Sequence, residues 1–398
     1  MTFQITIAII DKKEITMSSS KRWIWEQEKY PNFTFNDKII NPLIQKAALM
    51  QGYLIAFTSF LNGEELKRKQ LEVLTDEAIS TSAIEGEHLN RDSVRASIRK
   101  KLGLYNLREA ATDPKTDYLI DILVDANTNY DQALDIERIF GWHNALFPTG
   151  YSGFSKINVA TFRGEEPMEV VSGGIGQETI HYVAPPRDQL EDELDELLRW
   201  FNSTEETIVK AAIAHLWFVV IHPLDDGNGR ISRAVADLVL SKIERSKVSK
   251  LYSMSSAINK NKKSYYDILD ETTGFKRQQN SVLDITKWIE WFLNTLIIAL
   301  TDAQDSLKYI LQKTAFWDEH RDTQLNARQI KVLNKVLDKG VNNYEGGLNN
   351  RKYVAIAKTS SATATRDLKD LLNRGCIKLK EGTTGKSSSY IVVVPNSL

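Results

Sequence analysis

The chain has 398 residues, of which 42% are hydrophobic and 26% are charged, proportions typical of a globular protein of two or three domains. Its formal net charge of −1 excludes a basic field over the whole chain, and its single cysteine excludes a disulfide framework. The single cysteine, Cys376, fits the reducing cytoplasm, where we expect the protein to be. No apolar run approaches membrane-spanning length, so we expect no membrane partner.

Residues 1–16 contain a short apolar patch but neither a basic start nor a cleavage site, so they fit a signal peptide poorly. We leave residues 1–20 unassigned. Regular patterning begins at Met17, which indicates that the preceding residues are an extension from an upstream start.

Residues 21–101 have the periodicity of helices. Asn41 followed by Pro42 predicts a helix start, with the asparagine as N-cap. A second predicted helix ends at Gly86, a residue type that commonly terminates helices. Glu85 then lies at the C-terminal end of that helix, where the dipole favours a cation, so we expect it to have a partner elsewhere.

Residues 102–300 form the predicted core, which is mostly helical with one strand-like region. Two extended segments, 161–171 and 178–184, flank the glycine-rich stretch that follows Ser172. This arrangement predicts a β-hairpin.

The most informative stretch runs from His222 to Arg233 and reads HPLDDGNGRISR, between predicted helices over 207–221 and 230–243. Pro223 disfavours the α conformation of the residue before it, so the first helix should stop there. The stretch therefore predicts a helix–loop–helix joint.

Backbone N–H groups at the start of the second helix can form an anion-binding nest, because Gly227 and Gly229 flank Asn228 there. Arg230 and Arg233 are neighbours on one helix face, and both can reach phosphate oxygens as forked donors. The joint is thus a candidate phosphate site.

Asp226 offers the hard oxygen ligand that a phosphate-bound Mg²⁺ or Mn²⁺ requires. His222, at the edge of the nest, is placed to take a proton from an incoming hydroxyl. A dinucleotide fingerprint does not fit, because Ser232 stands where a third glycine belongs, and the ending of a P-loop is missing. A plain polar turn would need neither arginine.

This stretch resembles the signature of the Fic family, whose members mostly transfer AMP from ATP to protein hydroxyl groups. The family pattern is His-Pro-Phe-x-Asp/Glu-Gly-Asn-Gly-Arg-x-x-Arg, and this chain departs from it once, with Leu224 instead of phenylalanine. We expect Leu224 to change the packing of the loop rather than its chemistry.

The resemblance implies a mainly α fold, a Fic-type helical bundle with a small β-hairpin flap. An N-terminal helical arm would precede it and a C-terminal winged helix domain would follow it, with the Fic (Fido) part at approximately residues 136–294. It also implies functional roles for residues of the motif and of one later segment. These are catalytic His222, metal-binding Asp226, and ATP-binding Gly227, Asn228, Gly229, Arg230, Arg233 and Tyr265.

Thr81, Glu85 and Gly86 resemble the family's inhibitory helix, Ser/Thr-x-x-x-Glu-Gly/Asn. In that family the glutamate pairs with the second motif arginine, here Arg233, and withdraws the donor that should hold the γ-phosphate. The pairing is physically reasonable, because a carboxylate and a phosphate compete for the same guanidinium.

The predicted hairpin resembles the family's flap, which lays an extended edge beside the target and positions the target hydroxyl near the histidine. The corresponding edge consists of Ile180, His181, Tyr182 and Val183. An edge strand can pair with any extended peptide through its backbone, which fits broad target recognition.

Residues 301–325 predict a charged helical connector, and residues 326–398 resemble a winged helix-turn-helix. The exposed face of its second helix carries Thr363, Thr365 and Arg366. Such a helix can read a major groove, or it can form a dimer or protein contact. DNA and a second copy of the chain are therefore both candidate partners of this region.

The predicted reaction is transfer of AMP from ATP to a Ser, Thr or Tyr hydroxyl of a target protein or of the chain itself, with release of pyrophosphate. Glu85 would hold the resting enzyme inactive. Three alternatives stay open. In the first, Glu85 activates a water that removes AMP from a modified protein. In the second, the transferred group is phosphate or phosphocholine, although intact Arg230 and Arg233 favour a nucleoside triphosphate. In the third, the chain is a DNA-binding regulator acting through residues 326–398.

Overall fold

A computed structural model of the chain describes residues 23–58, 61, 63–104, 114–172, 179–245, 251–274, 283–340, 344, 346–383 and 388–395. The unassigned extension 1–20 and residues 173–178, which include the glycines of the predicted hairpin loop, lie outside the described residues. Contacts divide the chain into two compact units, Met1–Thr301 and Asp302–Leu398. The predicted mainly α fold is confirmed.

Most of the first unit is helical. Its helices are α1 (Asp37–Thr58), α2 (Gly63–Ile84), α3 (Arg91–Lys101), α4 (Pro114–Thr128), α5 (Ile136–Leu146), α6 (Leu190–Ser203), α7 (Ile208–Ile221), α8 (Asn228–Glu244), α9 (Met254–Lys260), α10 (Lys262–Thr273) and the start of α11 (Thr286–Glu319). Two antiparallel strand pairs accompany them, β1 (Tyr151–Ser152) with β2 (Ser155–Lys156), and β3 (Glu169–Ser172) with β4 (Thr179–Val183). Among the described residues, none of the helices combines the length and the hydropathy that crossing a membrane requires.

Helix α1 begins earlier than its sequence predicts. Its first residue is Asp37, so Pro42 lies in the second turn instead of at the helix start. The Asn36 side chain accepts the N–H of Lys38 at 3.0 Å and begins the helix. Pro42 then leaves one carbonyl of the first turn without its helical donor, which a helix tolerates more readily near its start than in its middle.

Helices α7 and α8 form the centre of the first unit, and they correspond to the two helices predicted around the motif. Along α7, twelve of fourteen residues are buried, and the exceptions are Ile213 and Val219. A helix that is apolar on every side is stable only when it is surrounded by other elements. The loop between α7 and α8 is therefore held by two buried helices.

Helix α11 runs without interruption through residue 300, where the sequence places the end of the core. The apolar closing helix and the charged connector predicted over 301–325 are thus largely one helix of 34 residues. No glycine or proline occurs between Thr286 and Glu319, so no residue interrupts the backbone hydrogen bonding where the composition changes.

The second unit contains α12 (Ala327–Leu337), α13 (Asn350–Ala357) and α14 (Ser361–Asn373), followed by the antiparallel pair β5 (Ile377–Leu379) and β6 (Tyr390–Val392). It has its own hydrophobic core. Residues that are at most 3% exposed build this core, among them Phe316, Val332, Leu333, Val336, Leu348, Tyr353, Leu368, Leu371 and Ile377.

Candidate active site

Helix α7 ends at His222, as the following proline predicts, and the His222 backbone adopts the left-handed conformation with φ of +51°. For a residue other than glycine this conformation costs roughly 1–2 kcal/mol. The buried side chain of Arg163 stabilises it, because Nε donates to the His222 carbonyl at 2.9 Å. The backbone N–H of Arg163 donates to the Pro223 carbonyl at 2.9 Å, and its Nη2 donates to the Pro185 carbonyl beyond β4.

The His222 side chain has a defined tautomer. Nδ1 lies 3.2 Å from the Val219 carbonyl oxygen, which can only accept, so Nδ1 carries the proton and Nε2 has the lone pair. Burial lowers the pKa of His222 to about 4, and the positive charge of Arg163 acts in the same direction. The imidazole is therefore neutral at neutral pH and can accept a proton at Nε2.

Asn228 locks the loop between the two helices. Its Nδ2 donates to the Leu224 carbonyl at 2.8 Å and its Oδ1 accepts the Leu224 N–H at 3.1 Å. The side chain of Leu224 is fully buried, in agreement with a packing role. Because the Asn228 amide is already engaged on both sides, its backbone N–H remains the group that could contact a nucleotide.

Neighbouring side chains lie so close to the two glycines of the motif that neither position has room for a Cβ atom. A Cβ on Gly227, whose φ is +83°, would lie 2.9 Å from Leu146 Cδ1. A Cβ on Gly229 would overlap Oε1 of Glu85. The predicted anion nest is thus a narrow space, and the carboxylate of Glu85 lies in it.

Arg233 lies at the centre of the contacts between α8 and α2. Its Nη2 donates to Glu85 Oε1 at 2.7 Å and to the Thr81 carbonyl at 3.0 Å, and its Nε donates to Thr81 Oγ1 at 2.8 Å. The Arg233 side chain is 4% exposed, and Nη1 has no hydrogen-bond partner among the described residues. The structure therefore brings together Thr81, Glu85 and Arg233, and it leaves one buried N–H donor of Arg233 for another acceptor.

Arg230 has a carboxylate partner that the sequence did not identify. Its Nη1 donates to Glu87 Oε2 at 2.9 Å, and its guanidinium lies 5.1 Å from the centre of the Phe147 ring. Asp226 Oδ1 is farther away, at 3.8 Å from Nη2. Both motif arginines are thus paired with glutamates from the end of α2 and the residues that follow it.

Helix α10 binds the last carbonyl groups of α2. The Tyr266 hydroxyl donates to the Ile84 carbonyl at 2.8 Å, and Lys262 Nζ donates to the Ala83 carbonyl at 3.0 Å. A helix end leaves such carbonyls without helical donors, so these bonds fix the position of the segment that carries Glu85.

A cavity of about 140 Å³ joins the candidate residues, and Glu85, Val171, His181, His222, Gly229, Tyr265, Tyr266 and Asp270 are among those that line it. Tyr265 is buried, and its hydroxyl lies 3.0 Å from Nε2 of His215. His215 is a core residue, as expected from its position along α7. The general base candidate, the glycine nest and Tyr265 therefore face one space.

Two residues of β3, Val170 and Val171, and two of β4, His181 and Tyr182, line this cavity. His181 lies at the cavity, where Nε2 is 2.6 Å from Ser172 Oγ and Nδ1 is 3.3 Å from Asp270 Oδ1. Tyr182 differs from the expectation for a target-binding side chain, because it is buried and donates to the Val220 carbonyl at 2.6 Å. The Val183 carbonyl is also occupied, by the indole N–H of Trp25 at 2.8 Å.

Asp226 can accommodate a metal ion alongside its protein contacts. Oδ2 accepts the Ser152 hydroxyl and Oδ1 accepts the Gly227 N–H at 2.5 Å, which leaves lone pairs on both oxygens. Within the described ranges there is no group of three or more His, Cys, Asp or Glu residues arranged to hold a metal. The donor set therefore fits Mg²⁺ that is bound mainly by phosphates and water with a single protein carboxylate.

Comparisons with known proteins give two family matches and several similar solved structures. Residues 133–240 match the Fic/DOC family, and residues 23–104 match a domain of unknown function, DUF4172. A Fic family protein from Desulfovibrio desulfuricans G20 is similar in structure over 92% of this chain and 99% of its own, with a TM-score of 0.52 and 18% identity. A Fic domain-containing signalling protein from Bacteroides thetaiotaomicron VPI-5482 matches 68% of this chain and 97% of its own, with a TM-score of 0.46 and 18% identity. Fic-1 from C. elegans, residues 134–508, matches 68% of this chain and 74% of its own, with a TM-score of 0.47 and 15% identity.

Proposed function

This chain carries a Fic/DOC family domain, and from that premise we propose that it is a protein adenylyltransferase. It moves AMP from ATP to a Ser, Thr or Tyr hydroxyl of a target protein or of itself. The observation that carries the proposal is the neutral, buried His222, whose Nε2 is available beside a glycine-lined helix start with two arginines.

The phosphates of ATP bind at the start of α8. Backbone N–H groups from Gly227 to Gly229 contact phosphate oxygens, and Arg230 and Arg233 neutralise the β- and γ-phosphates as forked donors. Asp226 would hold Mg²⁺ together with the phosphates, and that ion supplies charge neutralisation. Tyr265 lines the cavity beside this helix start, which supports its proposed place in the ATP site, with the nucleoside extending into that cavity.

His222 acts as the general base. The target hydroxyl loses its proton to Nε2, its oxygen forms a bond to the α-phosphorus, and the bond between that phosphorus and the pyrophosphate oxygen breaks. A positioned base contributes about 10²–10⁴-fold to a rate, and the preorganised donors at the helix start stabilise the developing charge. His181 of β4 lines the same cavity, and the backbone of β4 at Ile180 and His181 is the proposed edge for the target peptide.

Glu85 inhibits this reaction in the resting chain. Its Oε1 is bonded to Arg233 at 2.7 Å and lies over Gly229, within the space that the phosphates must enter. A phosphate and a carboxylate cannot share that space, because both are anionic and both need the same guanidinium. ATP binding in the reactive position therefore requires Glu85 to leave.

Incubation of the purified chain with α-³²P-labelled ATP and Mg²⁺ tests the proposal. A hydrogen bond to a charged group contributes roughly 1.5–3 kcal/mol, so Glu85→Gly should raise protein labelling about ten- to a hundredfold. Adding His222→Ala to Glu85→Gly should abolish the label. Glu191→Gly, a glutamate 70% exposed on α6, is the matched control and should label like the unaltered chain. Absence of label from every folded variant would refute adenylyl transfer.

A further inference from the structure

Positive charge is concentrated in the last part of the chain. Residues 326–398 contain thirteen Lys and Arg but only five Asp and Glu, whereas the whole chain has a net charge of −1. The remainder of the chain is therefore acidic. This uneven distribution gives residues 326–398 a positive local field that attracts a polyanion. The net charge of the whole chain does not reveal that field.

Helices α13 and α14 are joined by a short turn at residues 358–360 and are linked by side-chain hydrogen bonds. Lys358 adopts a left-handed conformation with φ of +51°, and Ser360 Oγ accepts the Thr363 N–H at 3.2 Å to begin α14. Asn350 Nδ2 donates to the Ser361 carbonyl and to Thr365 Oγ1, both at 2.9 Å. The hydroxyl of Thr365, predicted as part of the exposed face, thus fixes the crossing of the two helices.

The two carboxylates of α14 are neutralised within the unit. Asp367 is buried and accepts Arg328 Nε and the Tyr353 hydroxyl, each at 2.9 Å. Asp370 accepts Arg374 Nε and Gln329 Nε2, each at 2.8 Å. These bonds keep both acids from opposing an anion at the outer face of the helix.

The outer face of α14 retains its cations. Ala362, Arg366 and Lys369 are exposed and are spaced four and three residues apart, so they share one side of the helix. Neither Arg366 nor Lys369 has a partner among the residues that the structure describes. The face combines a small residue near the helix start with two long cationic side chains.

We propose that this unit is a winged helix-turn-helix that binds duplex DNA, with the outer face of α14 in the major groove. That groove is about 12 Å wide and admits a helix, whereas the major groove of duplex RNA is too deep and narrow. Ala362 allows close approach at the helix start, and Arg366 and Lys369 contact phosphates or base edges. The pairs at Asp367 and Asp370 keep the face positive.

Fluorescence anisotropy of a labelled mixed-sequence DNA duplex, titrated with the full chain without nucleotide, tests the proposal. Between about 50 and 200 mM salt, the logarithm of the affinity should fall linearly with the logarithm of salt concentration. Arg366→Ala with Lys369→Ala should weaken binding about tenfold or more at low salt and reduce the slope by about 2. The readout does not depend on the transfer reaction, so failure of either proposal leaves the other intact.

Lys331→Ala with Lys335→Ala is the matched control, because it removes two exposed charges from α12. It should leave the affinity within about twofold of the unaltered chain, since these charges lie outside the proposed contact face. If both double variants lost DNA affinity equally, the assignment of binding to α14 would be overturned. Binding of duplex RNA with the same affinity as duplex DNA would also overturn it. An absence of DNA binding, with self-association that the α14 changes abolish, would show that the face is a contact between copies of the chain.

Discussion

Oε1 of Glu85 lies 2.7 Å from Nη2 of Arg233, and the same oxygen occupies the space in which a side chain on Gly229 would begin. The contact joins the end of α2 to the start of α8. Glu85 is 16% exposed on its side chain and Arg233 is 4% exposed, so the pair is largely shielded from water. The proposed inhibitory contact and the proposed phosphate site therefore occupy the same place.

Glu85→Gly should lower the melting temperature of the nucleotide-free chain and enlarge the stabilisation by ATP. Without Glu85, Arg233 loses a charge-assisted bond while it stays buried, which costs roughly 1–3 kcal/mol. ATP then supplies the missing anion and stabilises the folded chain by mass action. Differential scanning fluorimetry with and without ATP measures both effects, with Glu191→Gly as control. If ATP raised the melting temperature equally in the unaltered chain, Glu85→Gly and Glu191→Gly, the Glu85 carboxylate and the ATP phosphates would not occupy the same space.

Glu87→Gln should also raise the affinity for ATP, by less than Glu85→Gly does. Glu87 pairs with Arg230 at 2.9 Å, but Arg230 keeps its contact with Phe147 and its proximity to Asp226 when that pair is lost. The chain with both changes should bind ATP more tightly than the chain with either change alone, because each change frees a different arginine. Isothermal titration calorimetry with ATP measures the series. If Glu87→Gln left the affinity for ATP unchanged, the pair of Glu87 with Arg230 would not compete with ATP binding.

Arg163→Gln should raise the pKa of His222 from its value near 4. Burial lowers the pKa of His222 most strongly, and the positive charge of Arg163 lowers it further. Arg163 also donates a hydrogen bond to the His222 carbonyl, which stabilises the backbone of the loop. Because only the neutral imidazole accepts a proton, the acid limb of activity should move to higher pH in this variant. Arg163→Lys retains the charge and should shift less. NMR titration of the His222 ring provides a readout that is separate from catalysis.

The chain should lose stability in mild acid. Burial lowers the pKa of His143 and His222 to about 4 and that of His215 to about 3. The unfolded chain binds protons at these sites below about pH 6.5, so each histidine lowers the free energy of unfolding by about 1.4 kcal/mol per pH unit as pH falls from there toward 4.

Urea denaturation at pH 7.5 and at pH 5 measures this loss. Replacing buried His143 by Phe should reduce the difference between the two conditions, because one titrating site disappears. Replacing the exposed His88 by Gln is the control and should not change it. Equal acid sensitivity in His143→Phe and the unaltered chain would contradict the burial argument.

Local patterns predicted the loop between α7 and α8 well, because its groups are close in sequence. Pro223 marks the end of α7, and the glycines mark the start of α8. Glu85 also gave a local signal, since a carboxylate at a helix C-terminus is unfavourable without a partner. A residue that violates a local rule points to a distant contact even when the sequence does not name it.

Arg163 and Glu87 could not be found in this way. Arg163 is 59 residues from His222, and Glu87 is 143 residues from Arg230. Each occupies a position where its residue type violates no local rule, so tertiary folding alone brings it to the site. The same limit applies to Tyr182, which contacts the end of α7 through the Val220 carbonyl, 38 residues away in the sequence.

The position of the radioactive label in ATP distinguishes adenylyl transfer from phosphoryl transfer. The Glu85→Gly chain is incubated with Mg²⁺ and either α-³²P-ATP or γ-³²P-ATP, and the protein is separated and counted. Adenylyl transfer predicts that the α label remains on protein while the γ label leaves with pyrophosphate. Retention of the γ label without the α label would show phosphoryl transfer and contradict the proposed reaction.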